Sequence, residues 1–580
     1  MRELYLGVGA TVHDPALAIM DDEGNLLYAE ALERPLQHKI AWDICPTSLF
    51  DYLTARIWQF HDRSTHWSIA LSWEFDSKRS IQNRRKPETA PLPGSSSILK
   101  FYGFPDQSWN QWLLQMQGHY LSRLKDTLPF VIESITGQVK VELYSFDHHS
   151  THAANAFYFY DQDNPALCMV VDGEGEVGSL SVFSAEQGCL KRIARSWGPG
   201  SFGGFYGTAT NLCGFDFKKG EEWKLMGLAA YGQVNESDYR ELDRLIGCKN
   251  GKLLPIDPGV YEQVVSRYLA KIEDFKKNPL LAKDLAHTAQ SIFEERMIEI
   301  LNHYQQRPAY ESLLLSGGCA LNSKLNGEII EKTAFKQVFI PPAPGDDGNA
   351  VGAACLLHAL KKPDAPRFRA CWQSPYLGSA INLKPLHRFL GNPCGLLSYK
   401  FGAQIYRETA KRLFEGKLIA WVQGNSEFGP RALGNRSILA NPQIPDIKNI
   451  LNNRVKFRED YRPFAPAILH EHGTEWFESY QDSPYMSKTL KWKAHKKQLV
   501  PGVVHADGTG RVQSVTEERN AQFHRLILEF QKISELPILL NTSLNVMGKP
   551  IVSSFEDALC VFLTTGLDIL VVGDVLIEKP

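Results

Sequence analysis

The chain has 580 residues, more than one hydrophobic core accommodates, so two or three domains are expected. Its apolar content of 43%, charged content of 22% and net charge of −2 describe an ordinary folded protein. These values exclude a global basic field for nucleic acid and an acidic interaction tail, and no apolar run reaches the roughly 18 residues of a membrane span.

In chain order, MRELYLGVGATVHD begins the sequence without an apolar signal core, which favours a cytoplasmic location. The stretch LYLGVGATVHDPALAIMDDEGNLLYAEALE reads as a strand, a Gly-containing polar loop, a strand, a Gly turn and a third strand. A helix-rich region over 45–135 follows, interrupted by the polar SIQNRRKPETAPLPGSSS, which is expected to be an exposed loop. VELYSF reads as a strand, and HSTHAANAFYF as a helix that begins near Asp147. ALCMVVDGEGEVGSLSVFSAEQGCLKRIAR then repeats the opening meander, again with acidic residues in its first loop. Such a duplication predicts two similar α/β lobes facing a cleft, with ligands held by polar loops at strand ends. After an insertion over 235–285 come the helix DLAHTAQSIFEERMIEILNHYQQ, the strand ESLLLSGG, the strand KQVFIPP, a Gly-Asp loop and the helix NAVGAACLLHAL. KKPDAPRFRACWQSPYLGS reads as a linker, which predicts domains over 1–365 and 366–580. The ten cysteines form no CxxC pair, and several, such as Cys168 and Cys355, sit in apolar runs, so reduced thiols are expected.

The stretch FDHHSTHA crowds His148, His149 and His152 into one helix start. His148 and His152, at i and i+4, share a helix face, the spacing by which one helix gives two imidazoles to a metal; His149 and His152 at i, i+3 are the alternative pair. Asp172 ends an apolar strand in CMVVDGEGE, where Gly173 and Gly175 let backbone approach a ligand. Asp346 and Asp347 precede the small-residue helix in PPAPGDDGNAVGAA. Two histidines with two aspartates suit Fe(II), Mn or Zn with open positions. LLLSGGCALNSKLNGEI adds a turn in which Gly317 and Gly318 suit a flat nucleoside, with Asn322 nearby.

The second domain is densest in GNSEFGPRALGNRSILANP, with Arg431 and Arg436, and in NNRVKFREDYRPFAP, with Lys456, Arg458 and Arg462. DGTGRVQSV supplies Arg511. Arginine forks among glycine and proline suit phosphate recognition, although some are expected in structural ion pairs. The strand LPILLNTSLNVMGKPI ends in Asn541, Thr542, Ser543 and Asn545, able to hydrogen-bond a planar amide or a phosphate.

The ordered set HDPALAI, HHSTHAANAFY, DGEGE, EEWKLMGLAAYG, SGGCALN, GDDGNAVGAA, FGPRALGNRSILANP, VKFREDYRPFAPAIL and LNTSLNVMGKPI resembles the NodU/CmcH family of O-carbamoyltransferases nearly end to end. The resemblance implies an N-terminal domain of the actin/Hsp70/sugar-kinase type, similar to the tRNA threonylcarbamoyl-transferase fold, and a C-terminal YrdC-like α+β domain. It implies that carbamoyl phosphate is hydrolysed in the C-terminal site. The carbamate then reacts with ATP, with Mg²⁺, to give carbamoyl adenylate and pyrophosphate. Transfer to a hydroxyl of a small natural-product acceptor follows in the N-terminal site, at a bound metal, Fe²⁺ or another divalent ion.

Carried over by position, His148, His152, Asp172 and Asp346 match the metal ligands, Asp346 being chosen because the family Asp stands two residues before Gly. His13 matches the general base, an imidazole near neutrality, with Asp14 to orient it or the acceptor. Lys39 matches a lysine near the acceptor pocket. Gly173, Glu174, Gly175, Lys224, Gly317, Gly318 and Asn322 match the adenylate-binding set of the first domain. Arg431, Lys456, Arg462 and Arg511, with Asn541, Thr542 and Ser543, match carbamoyl phosphate and ATP anchors. The stretch ALERPLQHKIAWD departs from the family pattern at Leu32, Pro35 and Ile40, which points to a different acceptor class. A homodimer is the family-based expectation; nucleic acid and membrane are not expected as partners. A sugar or small-molecule kinase, a binding protein without turnover and a tRNA-modifying carbamoyl transferase are the competing readings. The kinase would leave the second domain's arginines unexplained.

Overall fold

The structure, a computed structural model, describes residues 2–74, 107–161, 164–196, 200–306, 310–363, 372–393 and 395–580. The expected loop at 80–97 and the middle of the expected linker lie outside them. The chain divides into two compact units. The first holds Met1–Leu32, Ile40–Asn322 and Ile329–Gln373; the second holds Ser374–Pro580 together with Glu33–Lys39 and Ser323–Glu328.

The first unit contains the same sheet twice. Strand β1 (Arg2–Gly9) pairs antiparallel with β2 (Ala16–Asp21), and β2 with β3 (Leu26–Ala31). On its other side β1 runs parallel to β4 (Thr65–Leu71), and β4 parallel to β5 (Glu142–Ser145). In the second sheet β6 (Ala166–Val171), β7 (Leu180–Glu186) and β8 (Cys189–Arg195) form the antiparallel meander. After a small ribbon of β9 (Gly247–Lys249) and β10 (Lys252–Leu254), strands β11 (Ser312–Ser316) and β12 (Gln337–Phe339) extend that sheet in parallel. The orders β3-β2-β1-β4-β5 and β8-β7-β6-β11-β12 are equivalent. Even the register shift in the second hairpin recurs, at Ile19/Met20 and at Val182/Phe183. The duplicated meander is therefore a duplicated α/β lobe, as expected.

The region expected to be helix-rich differs in one respect. THWSIAL is a strand, β4, buried from Trp67 to Leu71 between β1 and β5. Parallel pairing on both edges overrides the helical character of its surroundings.

Helix Asn349–Lys361 fits closely against both β1 and helix His148–Phe159 because small residues line it. A Cβ on Gly352 would stand 1.8 Å from Thr151 O, and one on Gly7 1.9 Å from Ala350 O. These contacts bring the start of the Asn349 helix beside the histidine helix.

The second unit is built on a nine-stranded sheet of β13 (Leu397–Lys400), β14 (Ile419–Val422), β15 (Arg436–Ala440), β16 (Ala465–Leu469), β17 (Lys488–Lys491), β18 (Thr509–Val515), β19 (Ile538–Ser543), β20 (Ile569–Val572) and β21 (Val575–Glu578). Their order is β13-β21-β20-β14-β15-β19-β16-β18-β17. Trp421, Trp492, Phe523, Phe530 and Phe562 are buried in its core. With helices such as Ala521–Ser534 and Phe555–Thr564, this is the α+β architecture expected for the C-terminal half. Two pieces from earlier in the chain complete the unit. Buried Arg34 donates to Gly429 O at 2.7 Å, and Thr489 bonds Ser323 at 3.0 Å. The eight described cysteines are all free. No helix among the described residues is long and apolar enough to cross a membrane.

Candidate active site

Asp147 caps the helix His148–Phe159 by accepting from Ser150 N, which fixes where the helix starts and hence which face carries each imidazole. His148 and His152 point the same way, and their rings meet edge to face at 4.7 Å. Asp172, at the end of β6, divides its carboxylate between two tasks. Oδ1 accepts from the backbone N–H groups of Gly173 and Gly318, at 2.9 and 3.0 Å. Oδ2 faces His148 Nε2 at 3.2 Å and His152 Nε2 at 3.0 Å. Asp346 Oδ1 lies 3.5 and 3.3 Å from the same two nitrogens. One donor atom from each of the four residues lies within 4.8 Å of the others, and all four residues are buried or nearly so. Of the alternatives left open by the sequence, His148 with His152 and Asp346 converge; His149 bonds Ser181 and Asp347 accepts from Gly348 N.

The electrostatics follow from this packing. Burial disfavours charge on Asp172, yet the imidazoles of His152 and His148 hold it well below the usual carboxylate range. Burial pulls His148 and His152 down, but the two carboxylates raise both above an ordinary histidine. Two buried carboxylates and two imidazole nitrogens form a hard, oxygen-rich set that fits a divalent cation. A structural ion pair would need only one carboxylate and one imidazole; here four donor atoms converge on one point.

His13 stands beside this centre. Its Nδ1 is 3.1 Å from Asp14 Oδ2 and 3.8 Å from Asp346 Oδ2. Burial would lower its pKa, but the bond to Asp14 and the charge of Asp346 raise it to about 9. Trp42 flanks the ring at 5.3 Å and donates Nε1–H to Lys218 O.

Gly317 makes a tight turn, with φ at +91° and room for no Cβ, which would stand 2.2 Å from Val171 O. Gly175 lies against the His149 ring for the same reason of space. Lys224 is paired with Glu221, and the Asn322 carboxamide exchanges hydrogen bonds with Gln290 at 3.0 Å. Glu174 lies in the same loop as Gly173 and Gly175.

In the second unit the sheet order gathers cations from distant sequence. Arg431 is on the β14–β15 loop, Arg511 on β18, and Lys456, Arg458 and Arg462 precede β16. Burial lowers Arg511 well below its ordinary value, and Arg431, Arg458 and Arg462 lower it further by repulsion. Burial brings Arg431 down to about 10. Among the described residues neither Arg431 nor Arg511 has a carboxylate partner, so an anion is the group that would stabilise both. Lys456 is buried, and its ammonium donates to Ser543 O, Ser543 Oγ, Asn545 O and Asn545 Oδ1. Burial depresses Lys456 well below its ordinary value and repulsion from Arg458, Arg462 and Lys39 adds to this, so Lys39 belongs with this cluster of the second unit as well as with the loop after β3.

Residues 99–355 match the family model described as carbamoyltransferase N-terminus, and 410–579 the one described as carbamoyltransferase C-terminus. Nodulation protein NolO of Bradyrhizobium diazoefficiens is 35% identical over 75% of this chain and 79% of its own. The chain belongs to the carbamoyltransferase family. It is also similar to a 3'-hydroxymethylcephem-O-carbamoyltransferase of Amycolatopsis lactamdurans, 29% identical over 75% of this chain and 80% of that one. Full-length HypF in its phosphate- and nucleotide-bound form aligns with a TM-score of 0.34 and 13% identity, over 63% of this chain and 56% of that chain, too distant to bear on function.

Several side chains of this carbamoyltransferase play parts that sequence reasoning did not assign. Arg436 is fully buried and donates to Gln423 O, Asn435 O, Ser379 O and Gly424 O, so it braces the loop. Asn541 is fully buried beneath the Arg431 loop: its Nδ2 donates to Ala432 O and Gln513 Oε1, while its Oδ1 has no hydrogen-bond partner among the described residues. Thr542 and Ser543 are half-buried. Glu427 accepts from Leu433 N at 2.6 Å, and more weakly from Asn435 N and Arg436 N, closing that loop. In the first unit, half-buried Glu222 of the EEWKLMG motif is near enough to Asp14 and His13 to feel their charges, and burial pushes it up to about 7.

Proposed function

We propose that this protein is an ATP-dependent O-carbamoyltransferase working in two half-reactions. In the second unit, water cleaves carbamoyl phosphate to carbamate and phosphate. The carbamate oxygen then attacks the α-phosphorus of Mg²⁺-bound ATP, giving carbamoyl adenylate and expelling pyrophosphate. In the first unit, an acceptor hydroxyl attacks the carbamoyl carbon and AMP leaves. The observation that carries this reading is the buried pair Arg431 and Arg511, close enough for Arg431 to repel Arg511 and, among the described residues, neither of them ion-paired with a carboxylate. Such an arrangement suits a phosphate-rich substrate whose charge must be matched as it shifts between oxygens.

In the first unit His148, His152, Asp172 and Asp346 would hold a divalent cation, with Fe²⁺ as the family-based choice. When bound, such an ion polarises a carbonyl and offsets the charge of the two carboxylates. That offset would bring His13 back toward the range in which a histidine accepts a hydroxyl proton. Asp14 then holds the ring through Nδ1, leaving Nε2 for the acceptor. Gly173, Gly175, Gly317 and Gly318 offer backbone to the adenylate, and the acceptor is a small hydroxylated metabolite.

The test is to mix the purified protein with ATP, Mg²⁺ and carbamoyl phosphate and omit any acceptor. Pyrophosphate release that depends on carbamoyl phosphate is expected. ADP formation would replace this reading with a kinase. No turnover with Fe²⁺ added and a panel of alcohols supplied would refute it.

A further inference from the structure

Asn349, the residue after the GDDG turn, is fully buried against the four-residue centre. As placed, its Nδ2 lies 3.0 Å from His152 Nε2 and 3.4 Å from His148 Nδ1, while its Oδ1 lies 3.0 Å from Thr151 Oγ1. The two ends of a carboxamide have the same shape, so which end faces where follows from the hydrogen-bond requirements of the neighbours.

Three neighbours decide it. Thr151 has one hydroxyl proton, and His148 O, a carbonyl that can only accept, takes it at 2.7 Å. The end of Asn349 that faces Thr151 must therefore donate, so it is the NH₂. His148 Nδ1 faces Ser72 O at 3.3 Å, again a carbonyl, so Nδ1 carries the ring proton and its other neighbour must accept. His152 Nε2 points at Asp172 and Asp346, at 3.0 and 3.3 Å, and is either protonated toward them or bound to a cation. In both cases it has no lone pair for an NH₂ group. All three requirements are met when the amide is turned, with Nδ2 on Thr151 and Oδ1 toward the histidines.

Resting on the metal reading above, we propose that the Asn349 carbonyl oxygen is a fifth donor of the metal centre. It lies as close to His152 Nε2 as the Asp172 oxygen does. It is neutral, so it adds a ligand without adding to the charge of two carboxylates already in contact with two imidazoles. His152 Nδ1 is buried without a partner, so this ring lacks the second hydrogen bond that orients His148. Asn349 supplies on the metal side the restraint that Nδ1 does not receive on the other.

The experiment loads the full-length protein with Co²⁺ and measures two quantities: affinity, by competition with a chelator, and the visible ligand-field spectrum. For wild type a defined spectrum is expected. Asn349→Ala is expected to weaken Co²⁺ binding about 10-fold or more. It should also change the band intensity, as loss of a donor does. Asn349→Asp, of nearly the same volume, is expected to bind more tightly and alter the spectrum. If Asn349→Ala fails to fold, Asn349→Asp decides alone. Unchanged affinity and spectrum in the variants would overturn the inference while leaving the metal reading intact. Weaker binding with an unchanged spectrum would overturn it too, making Asn349 a spacer. A wild-type protein that takes up no Co²⁺, Fe²⁺ or Zn²⁺ would overturn the metal reading and this inference together.

Discussion

In the first unit two carboxylates face two imidazoles, and each shifts its opposite toward the charged form. In the second unit burial shifts Arg431 and Arg511 toward the neutral form, and Arg511 is pushed further that way by repulsion from Arg431, Arg458 and Arg462. The first centre carries much of its own charge balance; the second leaves its balance to a ligand. Buried like charges repel one another, so an anion bound among them would relieve the second cluster. On the proposed reading, the comparison separates a centre that would keep a resident ion from one that would take and release a substrate.

The largest expected effect divides the two units. Arg431→Ala should lower carbamoyl phosphate-dependent pyrophosphate release by about 10²- to 10³-fold, as loss of one preorganised electrostatic contact does. His13→Asn should lower transfer to an acceptor by about 10²- to 10⁴-fold and leave pyrophosphate release intact. Near-normal pyrophosphate release by Arg431→Ala would break the contrast by removing the phosphate anchor. Loss of both half-reactions in His13→Asn would break it from the other side.

A smaller effect concerns stability. If the arginine cluster awaits an anion, carbamoyl phosphate at 100 times its Kd should stabilise the wild type by about 2.7 kcal/mol, read as a rise in Tm. Arg431→Ala should lose most of that rise, and its own Tm without ligand should be no lower than the wild type's, since the change relieves repulsion. A lower Tm together with an undiminished ligand shift would mean that Arg431 is a structural residue.

The same contrast explains what the sequence made legible. The duplicated meander could be read because each copy alternates strands with Gly-marked turns, which are local signals, and the structure repeats it down to a register shift. His148 and His152 could be paired because helical spacing is local too. Asn349 and Glu222 were passed over, since nothing in GDDGN or EEWKLMG says which side chain returns to the centre until β1, β6 and two helices are packed. The bracing by Arg436 and the burial of Asn541 were illegible for the opposite reason: polar residues beside a phosphate-type motif look like exposed ligands, and only the sheet order β15-β19-β16 buries them beneath it. Segment Glu33–Lys39 follows β3 in sequence but joins the second unit through Arg34 and Gly429, a long-range contact with no local signature.

The smallest expected effect uses a charge-balanced cluster within the second unit as a control. Asp482 bonds Arg519 at 2.6 Å and Ser514, and lies 3.4 Å from His470 Nδ1. Burial raises Asp482, but His470 and Arg519 outweigh it and hold the carboxyl below its ordinary value. Its hydrogen bond to Asp482 raises His470 above an ordinary histidine. The depressed carboxyl contributes fully above about pH 4 and loses its contribution as pH falls through the folded value. The raised imidazole contributes fully below about pH 6.5 and loses its contribution as pH rises through the folded value. The Tm gap between wild type and Asp482→Asn should therefore be widest between these limits. It should narrow on the alkaline side to what Arg519 alone maintains. His470 and Asp482 are 41% and 36% exposed, so solvent screens the pair and the gap should stay small. Carbamoyl phosphate should leave this gap unchanged, because the charges here already meet their opposites. A gap that closed on adding carbamoyl phosphate would place this cluster with the Arg431 site and blur the distinction between balanced and unbalanced charge on which the two-centre reading rests.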